Sequence, residues 1–75
     1  MTYLIFINRI TGNHLELEEV LPIFQYKEDN NKLFYVFSSG GQEIFASLFQ
    51  QETLEEVSDP KKGERWGWIL RNMLH

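Results

Sequence analysis

Apolar residues gather in three runs separated by polar stretches: Tyr3 to Ile7 (YLIFI), Leu33 to Phe37 (LFYVF) and Ile44 to Phe49 (IFASLF). Strand side chains point alternately to opposite faces, so each run, read as a strand, is apolar on both sides. The polar stretches between them carry the turn chemistry. Glu28-Asp29-Asn30-Asn31 separates Ile23 to Lys27 from Lys32 to Ser38, and asparagine tolerates the left-handed backbone of a tight hairpin. Ser38-Ser39-Gly40-Gly41 supplies a second turn, after which Gln42 to Gln50 returns antiparallel.

The remaining segments are read as follows. Met1 to Ile10 is a first strand on its β-branched and aromatic content, closed by the turn signal Thr11-Gly12-Asn13. His14 to Leu21 carries two signals. Asn13 with Glu16 fits a capping pattern for a short helix, while alternating Leu15 and Leu17 fit a strand or irregular edge ending at Pro22, which is the reading adopted. Residues 42–49 have a rival too: Ile44, Phe45, Leu48 and Phe49 recur at helical spacing and continue through Leu54 and Val57. The two glycines before them weaken a helical first turn, and the strand is preferred.

At the C-terminus Trp66, Ile69, Leu70, Met73 and Leu74 fall on one helical face. This predicts a turn over Asp59 to Gly63 and a helix from Glu64, although Gly63 and Gly67 each cost up to about 1 kcal/mol there. The alternation of Trp66, Trp68 and Leu70 keeps a strand as the alternative. The chain therefore reads as one α+β domain over residues 1–75: an antiparallel meander of three to four strands with a C-terminal helix on one face.

Composition narrows the class. A chain of 75 residues buries only about 60% of the surface its unfolded form exposes. It has no cysteine, which removes disulfides, thiolate zinc sites and cysteine nucleophiles, and fits a reducing, cytoplasmic setting. The N-terminal apolar run is too short, and lacks the basic flank, for a signal peptide or a membrane span. The 11 acidic and 7 basic side chains leave a formal charge of −4, unfavourable for gripping a phosphate backbone. Residues 1–59 hold ten acids against Arg9, Lys27 and Lys32, a balance of −7, whereas residues 60–75 come to +3.

Candidate chemistry is sparse. Glu16, Glu18 and Glu19, and Glu52, Glu55 and Glu56 with Asp59, read as solvated acidic surface, because no nucleophile, oxyanion donor or metal-ligand spacing accompanies them. His14 beside a turn and the terminal His75 belong to no catalytic constellation. Ser38-Ser39-Gly40-Gly41 lacks the lysine and following helix of a phosphate loop. The characteristic residues of SH3-like, OB-type, ubiquitin-like and cold-shock domains are not present in sufficient number. No catalytic residue, metal or cofactor is expected.

The functional expectation follows from the surplus of apolar faces. One helix covers one side of the sheet. With Leu4, Phe6, Phe34 and Val36 on that side, Tyr3, Ile5, Ile7, Leu33, Tyr35 and Phe37 remain on the other, though sequence does not fix which side is which. On the helix, Trp68 lies about 200° round from Trp66 and points away from the core, next to Arg65 and Arg71. The expected contact residues are therefore Tyr3, Tyr35, Phe37, Arg65, Trp68 and Arg71. The chain is expected to be a non-enzymatic interaction module, an adaptor, subunit or inhibitor that binds a larger protein or a second copy, with no direct nucleic acid and no membrane. The alternative is an acidic mimic of nucleic acid that blocks a nuclease or other DNA-binding machine, as mobile elements encode.

Overall fold

Four antiparallel strands form one sheet, β1 (Leu4–Asn8), β2 (Phe24–Asp29), β3 (Lys32–Ser39) and β4 (Gln42–Gln50), with two helices, α1 (Leu17–Val20) and α2 (Pro60–Asn72). The computed structural model describes residues 3–21, 24–29 and 32–73. The spatial order is β1-β4-β3-β2. Strands β2, β3 and β4 make the expected meander, and β1 adds on beyond β4, with Leu4 opposite Gln50 and Asn8 opposite Ala46.

Both hairpins form at the expected places. In the first, Asp29 pairs with Lys32; its turn residues Asn30 and Asn31 lie outside the described residues, as do Met1, Pro22, Ile23, Leu74 and His75. In the second, Ser39 pairs with Gln42 across Gly40 and Gly41, whose φ values are 58° and 81°. Two successive left-handed residues match the twist of the flanking strands, and glycine adopts that backbone without a Cβ penalty. Residues 42–50 are thus a strand, and the helical spacing within them is not used.

Two expectations need correction. His14 to Leu21 is not a strand: His14 makes a single bridge to Ile7, and residues 17–20 wind into one helical turn. The Glu16 amide donates to Oε2 of Glu19 at 2.7 Å, a capping box one turn later than the Asn13–Glu16 signal suggested. The C-terminal helix begins at Pro60, not Glu64, because Asp59 caps it, accepting a hydrogen bond from the Lys61 amide at 3.0 Å. Proline at the first helical position costs nothing there, since its missing N–H has no partner to lose.

The helix docks through part of the expected stripe and through two glycines beside it. Gly63 and Gly67 are buried, Gly63 against Tyr35 of the sheet, with Trp66 and Leu70 packed on the core, while Ile69 and Met73 are exposed. A Cβ at Gly63 would collide with the ring of Tyr35. Gly63, which weakens the helix locally, is therefore what lets its backbone settle on an aromatic ring. Around Tyr35 the core contains Phe6, Phe37, Ala46, Leu48 and Val20. Phe6 meets Tyr35 and Phe37 edge to face at 5.2 and 5.0 Å, the geometry that the aromatic quadrupole favours.

Candidate contact face

Strand alternation now separates the sheet into two faces. Leu4 and Phe6 of β1, Leu33, Tyr35 and Phe37 of β3, and Ile44, Ala46 and Leu48 of β4 belong to the core under α1 and α2. The opposite face receives Ile5 and Ile7, Phe34 and Val36, and Phe45 and Phe49. Among the described residues no element packs over it. Its side chains shield one another: Val36 is buried and the other five are half-buried. Ser47, the smallest residue on this face, is completely buried among its larger neighbours, and its Oγ has no hydrogen-bond partner among the described residues.

Cations frame this face. The guanidinium of Arg9 lies 5.7 Å from the centroid of the Phe34 ring, and Nζ of Lys27 lies 5.8 Å from that of Phe45. Both distances are within the range at which the negative ring face attracts a cation. Arg9 and Lys27 are exposed and form no salt bridge among the described residues. Lys32 falls on the same side by alternation with Phe34 and is also exposed. All three cations of residues 1–59 thus sit on one face of an otherwise acidic region.

The expected contact residues are not brought together. Tyr35 and Phe37 are fully buried in the core and offer no surface to a partner. The expected division of faces was right for β1 and inverted for β3: Leu33, Tyr35 and Phe37 share a side with Leu4 and Phe6, and Phe34 and Val36 do not. Tyr3, at 53% exposure, leads into β1 next to the open face. Trp68 is 62% exposed on the outer side of α2, with Arg65 exposed and Arg71 half-buried; this is a separate patch. The open face instead brings together Phe34, Phe45, Phe49, Arg9 and Lys27, which the expected set did not include. The clue available in sequence was that positions 5, 7 and 9, like 32, 34 and 36, hold cations in phase with apolar residues.

The acids are dispersed. Glu16 and Glu18 are exposed and Glu19 half-buried around α1, and Glu52, Glu55 and Glu56 are exposed in the β4–α2 connection. That connection also holds Leu54, which is exposed and has a φ of 58°, an unfavourable backbone for a leucine. His14 Nε2 approaches Glu16 Oε1 at 3.5 Å in the open, beside a polar hollow of about 410 Å³ with Asn8, Thr11 and Asn13. An apolar groove of about 260 Å³ runs between β1 and the helices, lined by Leu4, Leu15, Leu17, Trp66, Leu70 and Met73. Among the described residues no cluster of three or more histidines, cysteines or carboxylates is placed to hold a metal ion, and no helix is long and apolar enough to cross a membrane. Compared with protein-family models, curated proteins and solved structures, the chain matches none.

Proposed function

We propose that the protein is a small non-enzymatic interaction module, an adaptor, subunit or inhibitor that works in a reducing compartment by laying its uncovered sheet face on a larger protein or on a second copy. The observation that carries this reading is an apolar, aromatic face with no element over it among the described residues, opposite a face that holds the core. Contiguous apolar surface rimmed by polar groups is typical of association sites rather than of free surface. Phe34, Phe45 and Phe49 supply the large rigid rings that such contacts favour, because they lose little side-chain entropy on binding. The mimic reading draws less support, since the acids of α1 and of the β4–α2 connection belong to separate segments.

The test replaces apolar contact surface without touching the core. Phe34→Lys with Phe49→Lys retains the circular dichroism spectrum and a cooperative unfolding transition, and loses hydrophobic-dye binding and association with partner or copy. A wild-type chain that is monomeric at every concentration, binds no dye and retains no protein would refute the reading.

A further inference from the structure

We infer that the open sheet face takes an acidic protein segment, one that presents carboxylates together with apolar side chains. This rests on the interaction-module reading and adds the partner's charge. Arg9 and Lys27 stand over Phe34 and Phe45 without a salt-bridge partner among the described residues, although alternation places the Glu43 carboxylate on the same face. Lys32, exposed at the start of β3, falls on the same face opposite Asp29. Burying such cations against a neutral apolar surface would strip their hydration with no return, whereas a carboxylate replaces the lost water by a charge-assisted hydrogen bond.

The same features separate this occupant from two others. In an isologous pair of identical faces, each copy brings its own Arg9 and Lys27, neither in a salt bridge among the described residues, to the joint, and these like charges oppose closure. Single-stranded nucleic acid needs free ring faces for bases to stack on. Here cations already occupy a face of both the Phe34 and Phe45 rings. A continuing phosphate chain would also run onto a protein of net charge −4, while a protein segment confines its charge to the patch.

The experiment follows backbone amide resonances of the whole labelled chain during titration with three probes. They are a synthetic amphipathic peptide of leucine, phenylalanine and glutamate, its counterpart with lysine for every glutamate, and a single-stranded oligothymidylate. The acidic peptide is expected to shift Ile5, Ile7, Phe34 and Phe45, and to bind about tenfold more weakly to Arg9→Glu/Lys27→Glu. Arg9→Lys/Lys27→Arg, which keeps the charge, should retain the affinity. Equal or tighter binding of the lysine peptide overturns the inference but leaves the module reading standing, as does a concentration-dependent dimer through these residues with no response to peptide. Preference for the oligothymidylate overturns both by making the face a nucleic-acid surface. A monomer whose face responds to none of the three also removes both.

Discussion

Phe34 and Phe37 lie on one strand and are chemically identical, yet Phe37 is completely buried and Phe34 only half-buried. The same division runs across the whole sheet. Phe6, Tyr35 and Leu48 lie under the helices, while Ile5, Ile7 and Phe45 on the opposite face have no cover among the described residues. Hydrophobicity does not distinguish the two sets. Two other features do. The covered side meets a helix whose Gly63 lets it approach Tyr35, and the open side carries the cations of the strands and their ends. A face becomes core here because something can come close to it, and stays open where charges stand over its rings.

The sharpest way to break this comparison is to truncate the same kind of side chain on each face. Tyr35→Ala should cost about 4 kcal/mol, the usual range for emptying a large aromatic site. The whole stability of a chain of 75 residues is only about 4–11 kcal/mol, so the variant should be largely unfolded by urea titration in conditions where the parent is native. Gly63→Ala comes next. At an exposed helical site this change stabilises by up to about 1 kcal/mol; here the methyl meets the Tyr35 ring and should destabilise by about 2 kcal/mol. Combining it with Tyr35→Leu should give less than the sum of the two losses, and simple additivity would show that the helix does not rest on that ring.

On the open face the effects should be smaller. Phe34→Thr should cost about 1 kcal/mol or less, because threonine keeps the β preference and the lost surface is already half in water. A loss as large as that of Tyr35→Ala would mean this face is a second core. Ser47→Ala should move stability upward by about 0.5–1 kcal/mol, since it removes a buried hydroxyl without a partner among the described residues. A fall in the melting temperature would indicate that the hydroxyl is bonded in solution.

Much of the architecture could be read from local chemistry. Gly40-Gly41 and the Glu28-to-Asn31 stretch placed the two hairpins, since turn backbones demand particular residues. The division of faces could not be read in the same way. When a strand is apolar at every position, a one-residue change of register exchanges one apolar set for another, and alternation carries no preference. Tyr35 and Phe37 were misassigned to the contact surface for this reason. The helix stripe held for Trp66 and Leu70 but not for Ile69 and Met73, because the docking side extends to Gly63, whose missing side chain a search for apolar periodicity does not register. The α1 turn rests on a reciprocal Glu16–Glu19 pair that a sequence scan easily places one turn too early.

The pairing of Leu4 with Gln50 also has a bearing on how the protein comes into being. Within the sheet of described residues β1 is made before the other three strands, and its neighbour β4 is made last of the four. Until residue 50 has been synthesised the segment Leu4–Asn8 lacks its β4 partner and has only the local bridge from Ile7 to His14 and the hydrogen bonds to residues 12–15. Such long-range pairing slows folding and leaves an apolar strand available to other chains. The two-residue turn at Gly40-Gly41, by closing β3 onto β4 locally, prepares the edge that β1 must find. A longer or slower turn there would extend the interval in which the nascent chain can aggregate.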